Sequence, residues 1–271
     1  MTQARLFEQV IAGVEGRPGG RDAIALARLL ADPGGHLTLA HVHDGAPAHA
    51  SASLALLERE REGADVEAAL ESVVAPAPGR GLHELARARG ADLLVVGSCG
   101  RGLAGRVLLG NDTLAALEGS PCAIAVAPRD YAHDMRGLLI IGVGYDGSPE
   151  SVAALELARG LAERLGGRVR ALEVVEIPTA PWVGAAGVAS GLALDDLLAG
   201  TRRDLAGLAG VEADAVIGIA GEELAEFAGH VDLIVVGSRG RGPVRRMLFG
   251  STSSHLATKA RAPLLVLPRG S

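Results

Sequence analysis

The chain carries the same strand-and-loop pattern twice. An apolar run at 233–236 leads into the stretch GSRG at 237–240 and, nine residues later, into Gly250. Upstream, GSCG at 97–100 is followed nine residues later by Gly110, so both offsets are 140. A fixed offset of this kind indicates an internal duplication. Because a glycine-rich turn between a buried strand and a helix brings backbone N–H groups close to an anion, the pattern predicts a phosphate-binding loop.

Apolar runs of strand length alternate with helix-like segments along both copies. This alternation is typical of a parallel sheet covered by helices on both faces. We therefore predict an α/β fold with two tandem open-sheet nucleotide-binding domains, related by a pseudo-two-fold axis. We place them at 1–133 and 134–271, with a linker at 130–136. Their last strands, 122–127 and 264–267, are apolar edges that we expect to pair with each other.

Hydrophobic periodicity predicts the same order of elements in each half. In the first half the predicted strands are 9–14, 37–42, 66–74, 92–96 and 122–127, and the predicted helices are 21–30, 51–62, 82–89 and 113–118. In the second half the predicted strands are 138–143, 169–175, 211–219, 233–236 and 264–267, and the predicted helices are 151–165, 195–208, 222–227 and 252–260.

The composition and net charge of the chain argue against several classes of protein. A net charge of −6 argues against nucleic acid as a partner, and aromatic residues, at 2%, offer little to stack on bases. Cys99 and Cys122 are too few for a disulfide scaffold, so we expect a reducing compartment. The start of the chain lacks the pattern of a signal peptide, which predicts a cytoplasmic protein. The uncharged segment 177–194 contains prolines and glycines that argue against a membrane span and predict a mobile loop.

The second half carries a family resemblance. It contains DLIVVGSRGRGPVRRMLFGST, and it opens with IIGVGYDGS. Three glycines at this spacing after a strand resemble the G-x2-G-x9-G-[S/T] signature of the universal stress protein family, in its tandem form. The resemblance covers nearly the whole chain, twice. It implies an adenine-nucleotide site in which Asp146 lies near the adenosine and the backbone of Val174 meets the adenine ring.

The candidate site residues follow the ends of the predicted strands, where open α/β sheets bind their ligands. The resemblance assigns ribose and phosphate contacts to Gly237, Gly240, Gly250 and Ser251. Backbone N–H groups and the hydroxyls after Gly250 could hold a triphosphate without a lysine. The complete predicted set is Gly144, Asp146, Val174, Val236, Gly237, Ser238, Arg239, Gly240, Arg241, Gly250, Ser251, Thr252 and Ser253.

The first half departs from the pattern in three places. Glu15 replaces the Asp, Arg17-Pro18 is expected to disrupt the turn, and Asn111-Asp112 stands where a Ser or Thr pair is expected. A carboxylate at a helix start would occupy the N–H groups itself and repel a phosphate. We therefore predict that the first site is degenerate.

Some of these residues also have structural explanations. The glycines could serve tight strand-to-helix packing alone, and the Asp146 motif, Asp-Gly-Ser-Pro, is also an ordinary turn and helix cap. His41 and His43 could ligate a metal, although no carboxylate or thiol partner is placed beside them. Cys122, in a predicted core strand, is interpreted as a small apolar residue.

We expect an ATP- or adenine-nucleotide-binding regulatory protein of the stress response, with little or no catalysis. The sequence leaves open whether Mg²⁺ accompanies the nucleotide, which protein is the partner and whether chains form homodimers. The alternatives are a slow ATPase, for which Asp146 is the one candidate base, and a ligand-free scaffold. The segment 177–194, which contains Trp182, is either a lid over the nucleotide or an insertion without order.

Overall fold

A computed structural model describes residues 7–16, 18–98, 105–110, 118–134, 137–176, 191–238 and 250–268. The first half contains five strands and three helices within these ranges. They are β1 (Phe7–Gly13), α1 (Pro18–Leu30), β2 (Ala31–His43), α2 (Pro47–Ala64), β3 (Ala69–Val74), α3 (Pro78–Arg89), β4 (Leu93–Gly97) and β5 (Ala123–Ala127). The predicted helix at 113–118 lies almost entirely outside the described residues.

The second half repeats this order, as the periodicity predicted. Its elements are β6 (Ile140–Gly144), α4 (Pro149–Leu165), β7 (Arg168–Val175), α5 (Gly191–Leu205), β8 (Val211–Ile217), α6 (Ala220–Phe227), a 3₁₀ turn (Ala228–His230), β9 (Leu233–Gly237), α7 (Ser251–Lys259) and β10 (Leu264–Leu267).

All ten strands form one sheet in the order β3-β2-β1-β4-β5-β10-β9-β6-β7-β8. Within each half the strands are parallel. The order reverses direction between β1 and β4 and, in the second half, between β6 and β9. In open α/β sheets the carboxyl ends of the strands at such a reversal enclose the ligand crevice.

The two halves meet where β5 and β10 pair antiparallel, the one antiparallel pairing among the described strands. Leu265 lies opposite Ala125, and these residues are themselves 140 apart, so each is the counterpart of the other. A strand pair centred on equivalent residues is what an approximate two-fold axis produces. The predicted pairing of the last strands is confirmed.

Helices begin earlier than the apolar periodicity suggested, because prolines open them. Pro47, Pro78 and Pro149 stand in the first turn of their helices. Proline fits there since the first helical N–H groups have no partner in any case. Pro18 likewise begins α1, at the position equivalent to Pro149, so proline fits this helix start. The expected disruption of the turn by Arg17-Pro18 stays a prediction. Arg17 lies outside the described residues.

Two aliphatic clusters cover the two faces of the sheet, and each runs through both halves. One includes Ile24 of α1 and Leu161 of α4, and the other includes Leu85 of α3 and Leu256 of α7. Burial at the central strands is nearly complete, as in a parallel sheet covered on both sides. The ten strands therefore share a continuous core.

The aspartate before β4 and its counterpart before β9 hold the start of a neighbouring strand. The carboxylate of Asp92 accepts from the backbone N–H groups of Glu8 and Gln9, at 2.7 and 3.0 Å. Asp232 accepts from Leu139 and Ile140, at 3.0 and 2.8 Å. These bonds fix β1 against β4 and β6 against β9, at the far end of the sheet from the crevices.

The segment 130–134, within the predicted linker, is held by a buried carboxylate. Asp22 of α1 is 1% exposed and accepts from the backbone N–H groups of Asp130 and Ala132, both at 2.9 Å. Asp130 has a positive φ of 65°. The described part of the connection is therefore a bonded turn.

The predicted loop at 177–194 was wrong at its carboxyl end, since α5 begins at Gly191. Apolar residues at helical spacing follow that glycine and continue the helix. Residues 177–190, including Trp182, lie outside the described part of the chain. Among the described helices, none is both long and apolar enough to cross a membrane.

Candidate functional site

The second half has a crevice at the carboxyl ends of β6 and β9, where the strand order reverses. Nine of the thirteen predicted site residues line it. Ser238 does not, because its backbone N–H donates to Leu267 O at 2.9 Å and its side chain is buried. The predicted residues Arg239, Gly240 and Arg241 lie outside the described part. The nine predicted residues that do line the crevice are Gly144, Asp146, Val174, Val236, Gly237, Gly250, Ser251, Thr252 and Ser253.

One end of the crevice is apolar, and Leu224 and Val236 pack closely around Gly144 there. A Cβ added at Gly144 would lie 3.0 Å from Cδ1 of Leu224 and 3.1 Å from Cγ1 of Val236. Leu172 and Val174 of β7 line the same end. Any side chain at Gly144 would therefore press on Leu224 and Val236, so packing explains this glycine without a ligand. The aliphatic groups that line this end offer an apolar surface to a flat heteroaromatic ring.

Asp146 builds the turn between β6 and α4. Its Oδ1 accepts from the backbone N–H of Ser148 at 3.1 Å and from the Ser148 hydroxyl at 2.5 Å. The Ser148 Oγ in turn accepts from the backbone N–H of Ser151 at 3.2 Å and caps α4. The structural explanation of the Asp-Gly-Ser-Pro motif therefore holds, and Asp146 lines the crevice as well.

The N-terminus of α7 also borders the crevice. Gly250 precedes the helix in extended conformation, and within the described residues no side chain caps it. Since the first N–H groups of a helix have no partner inside the helix, those of 251–253 are directed to whatever occupies this end. No acidic residue stands in the first turn. Ser251, Thr252 and Ser253 add hydroxyls, although that of Ser253 donates to Gly250 O at 3.2 Å.

Gly237 has a packing requirement of its own. A Cβ there would lie 2.6 Å from Cβ of Glu150 and 2.8 Å from its carbonyl carbon, in the first turn of α4. Approaches this short do not occur between real side chains, so any larger residue would push α4 away from β9. Tight strand-to-helix packing therefore explains this glycine without a ligand.

Charge is distributed unevenly along the crevice. Asp146, in the turn before α4, and Glu150, in the first turn of α4, line the crevice. The pKa of Glu173, on β7, is raised by burial and also by the negative charges of Asp146 and Asp204. The α7 end carries N–H groups and hydroxyls without a carboxylate in the first turn. A ligand with one anionic end is therefore oriented with that end towards α7.

Comparison with known proteins agrees with this architecture. The sequence pattern of the Universal stress protein family matches residues 7–128 and 139–268. The chain belongs to the universal stress protein family. The Universal stress protein Rv2005c of Mycobacterium tuberculosis strain H37Rv is 32% identical over 219 residues, which span 78% of this chain and 72% of that protein. The predicted family, in its tandem form, is confirmed.

Solved universal stress proteins share the fold. The putative universal stress protein of Pseudomonas aeruginosa UCBPP-PA14 superposes with a TM-score of 0.65 at 16% identity, over 97% of this chain and 94% of that one. A universal stress protein of Archaeoglobus fulgidus DSM 4304 gives a TM-score of 0.66 at 18% identity, over 96% and 98% of the two chains. The predicted α/β architecture is confirmed.

Sequence reasoning missed the wall that α6 contributes to the crevice of this universal stress protein. Ala220 and Leu224 of α6 line it, and Leu224 closes on Gly144. Leu224 lies 80 residues from Gly144 in sequence, so local patterns could not bring them together. The amphipathic spacing of α6, which buries Leu224 and Phe227, was the one available signal.

The first half has an equivalent crevice, and Glu15 lines it in place of Asp146. Asn111 and Asp112, on which the expected degeneracy depends, lie outside the described residues, so that expectation stays a prediction. His41 also lines this crevice, whereas His43 is buried beside Ser72. Among the described residues, no cluster of three or more His, Cys, Asp or Glu could hold a metal ion.

Of the two cysteines, the structure describes Cys122. Cys99 lies outside the described residues. Cys122 is 2% exposed and precedes β5, with its Sγ 3.4 Å from the Ser120 hydroxyl. Burial raises the pKa of the Cys122 thiol to about 11. Its interpretation as a small apolar core residue agrees with this environment.

Proposed function

We propose that the second half binds one adenine nucleotide, with ATP as the principal ligand, and that this binding serves a regulatory role in the stress response. The observation that carries the proposal is the N-terminus of α7, which within the described residues has no side-chain cap and borders the same crevice as Leu224 and Val236. A helix N-terminus of this kind favours phosphate. The family to which the chain belongs supports the proposal.

In the proposed pose the adenine packs against the aliphatic side chains of Leu224 and Val236 that line the crevice, and its edge meets the backbone at Val174. The phosphates lie at the first turn of α7, where 251–253 offer backbone N–H groups and hydroxyls. We propose the predicted residues Arg239, Gly240 and Arg241 as further parts of this site.

The described residues fit a nucleotide better than a free metal ion. Because no three ligating side chains cluster among them, Mg²⁺ would need oxygens from the phosphates themselves. Asp146 is the candidate base, and its Oδ1 already accepts two hydrogen bonds from Ser148. We therefore propose little or no hydrolysis, with a cytoplasmic protein partner as the recipient of the signal.

Two substitutions at one position test the phosphate site. Ser251→Asp places a carboxylate on the N–H groups of α7, which stabilises the helix but excludes a phosphate by charge. Ser251→Ala removes the hydroxyl and leaves the N–H groups, so it serves as the matched control. By calorimetric titration with ATP we expect about one site per chain in the wild type, a small loss of affinity for Ser251→Ala and no detectable binding for Ser251→Asp.

Thermal unfolding of both variants shows whether the fold is retained. Equal ATP affinity in Ser251→Asp and the wild type would overturn the proposed phosphate position. Failure of the wild-type chain to bind at millimolar ATP would favour the ligand-free scaffold. Release of inorganic phosphate on a scale of many turnovers per minute would favour the ATPase.

A further inference from the structure

The connection between β2 and α2 is bonded to a buried histidine. His43, the last residue of β2, is 8% exposed, and its Nδ1 accepts a hydrogen bond from the backbone N–H of Gly45 at 3.1 Å. A side-chain acceptor that binds the N–H two residues later is the arrangement of an Asx turn, here with an imidazole in place of a carboxylate or amide. The turn that follows β2 therefore depends on an unprotonated Nδ1.

Polar groups between β2, β3 and α2 engage the other nitrogen of this ring. His43 Nε2 lies 3.0 Å from the hydroxyl of Ser72 on β3, which donates to the hydroxyl of Ser53 on α2 at 2.9 Å. Ser53 is fully buried, and its hydroxyl lies 3.0 Å from Nδ1 of His41. Two histidines of one strand are thus joined through two serines.

The backbone donor sets the direction of this chain of hydrogen bonds. Because the Gly45 N–H can only donate, neutral His43 carries its proton at Nε2 and donates it to Ser72. Ser72 donates to Ser53, which leaves the proton of the Ser53 hydroxyl for Nδ1 of His41. Each hydroxyl then accepts one hydrogen bond and donates another, so the buried chain is satisfied.

A second proton on His43 leaves this chain intact and breaks the turn. Its Nε2 still donates to Ser72, so the bonds between the two serines and His41 need not change. Its Nδ1 becomes a donor that faces the donor of Gly45, and two N–H groups cannot bond to each other. Since imidazole is the side chain that gains its charge between about pH 8 and about pH 5, this conflict arises on mild acidification.

The charges around the two rings favour a neutral His41 beside a charged His43. Burial lowers the pKa of His41, and a positive charge on His43 lowers it further, whereas the carboxylate of Glu15, just after β1, raises it. β3 faces the rings with Ser72, and α2 with Ser53. The charged groups of the packed elements form ion pairs of their own: Glu60, on the buried face of α2, with Arg21 of α1, and Glu71 of β3 with Arg89.

A second histidine contact in the connection survives acidification. Oδ1 of Asp44 accepts from Nδ1 of His49 at 2.6 Å and from the backbone N–H of Ala46 at 3.2 Å. The bond from His49 and that from Ala46 lower the pKa of the Asp44 carboxyl, so it stays ionised as the pH falls. Because a protonated His49 also donates to this carboxylate, the start of α2 stays attached to Asp44.

Gly45 allows the connection to resolve the conflict at His43. Its φ is 90°, and glycine adopts the opposite sign about as readily. Rotation of the Asp44–Gly45 peptide plane by about 180° would replace the N–H that faces His43 by the carbonyl oxygen of Asp44. That oxygen accepts from the new Nδ1–H, and the released N–H of Gly45 meets water because the glycine is exposed.

We propose that the Asp44–Gly45 peptide is an acid-operated switch. At neutral pH His43 accepts from the N–H of Gly45, and at acidic pH the His43 imidazolium donates to the carbonyl oxygen of Asp44 in the flipped peptide. The switch takes one proton from solvent and exchanges one hydrogen bond for another. It changes the polar groups that an exposed turn presents at the carboxyl edge of the first half. Because it needs no nucleotide, it is independent of the proposed function.

Nuclear magnetic resonance of the full chain tests the switch. The nitrogen–nitrogen coupling transmitted through the hydrogen bond from Gly45 to His43 Nδ1 should be present at about pH 8 and lost at about pH 5. The carbonyl carbon signal of Asp44 should shift over the same range, because its oxygen gains a charge-assisted hydrogen bond. Persistence of the coupling at the lower pH would overturn the proposal, and so would its loss without a shift of the Asp44 carbonyl.

Two histidine variants assign the transition to one ring. His43→Asn keeps an acceptor for the N–H two residues later but does not titrate, so we expect the pH-dependent shift of the Asp44 carbonyl to be lost. His49→Asn removes the other histidine of the connection and is the matched control, in which a shift of wild-type size should remain. A wild-type shift in His43→Asn, or its loss in His49→Asn, would refute the assignment to His43. If His43→Asn fails to fold, the wild-type coupling still decides between the two outcomes.

Discussion

The backbone N–H of Leu109 donates to the carbonyl oxygen of Ala257 at 2.9 Å, and this bond joins the first half to α7 of the second. Val107 makes a parallel contact, donating to Ala260 O at 2.8 Å. Both side chains are buried, at 3% and 0% exposure, in the cluster that also holds Leu256. The segment that closes the first crevice is thus attached to the helix whose N-terminus forms the proposed phosphate site.

This attachment predicts that truncating Leu109 destabilises the junction of the halves. Leu109→Ala removes a buried side chain between them, and we expect a loss of about 2–5 kcal/mol in the free energy of unfolding. Chemical denaturation measures it, with Leu197→Ala, at an exposed position of α5, as the control expected to change little. Equal stability of the two variants would show that the segment contributes nothing to the junction.

The sequence predicted the sheet better than the contacts that complete the site. Strands such as β4 and β9 are buried on both faces and therefore appear as continuous apolar runs. The start of β2 at Ala31 was missed because Pro33-Gly34-Gly35 resembles a turn, whereas the pairing with β1 shifts register there and continues. A register shift depends on the partner strand, so local sequence does not encode it.

The candidate site, too, could be predicted from the sequence only in part. The residues at strand ends and at the start of α7 were predictable, because a parallel sheet brings its carboxyl ends to one edge. The closure of Leu224 on Gly144 and the bond from Leu109 to Ala257 were not. The first depends on how α6 packs, and the second is made by backbone atoms that every residue possesses.

The burial of the Asp22 carboxyl predicts that the stability of the fold depends on pH. Burial raises the pKa of the Asp22 carboxyl, although the bonds from Ala132 and Asp130 lower it. The folded chain therefore holds this proton more tightly than the unfolded chain does. The resulting stabilisation is complete below the unfolded pKa and is lost as the pH rises through the higher folded pKa.

Asp22→Asn removes this titration and serves as the reference. The unfolding free energy of the wild type minus that of Asp22→Asn should fall as the pH rises from about 3 to about 6. Denaturant titrations at several pH values give the difference, in which other carboxyl groups cancel. A difference that grows with pH would mean that the two backbone bonds favour the ionised form more than burial disfavours it.

Tyr131 predicts a stabilising substitution. Its Oη is buried without a hydrogen-bonding partner among the described residues, and burial raises the pKa of the phenol to about 12. Removing an unsatisfied buried hydroxyl relieves a desolvation cost, so we expect Tyr131→Phe to raise the unfolding free energy by about 1 kcal/mol. Tyr145→Phe, at the crevice, is the control. A lower stability for Tyr131→Phe would reveal a bonded hydroxyl.

Cys122 should resist alkylation in the folded protein. With a thiol pKa of about 11, roughly one thiol in a thousand is ionised at pH 8, because the difference is 11 − 8 = 3 pH units. The side chain is also 2% exposed, which denies access to a reagent. Peptide mapping after iodoacetamide treatment should find Cys122 labelled only after unfolding. Rapid native labelling would show that the start of β5 opens frequently.

The difference between the two phosphate positions predicts a gain of binding. The second half has Ser251-Thr252 at the start of α7, whereas the first has Asn111-Asp112 at the equivalent positions. Asn111→Ser combined with Asp112→Thr removes the carboxylate that repels phosphate and restores the hydroxyl pair. We expect the ATP stoichiometry measured by calorimetry to rise from about one to about two per chain. Asn111→Ser alone keeps Asp112 and should stay at about one. A double variant that still binds a single ATP would show that Asp112 is not what excludes phosphate from the first half.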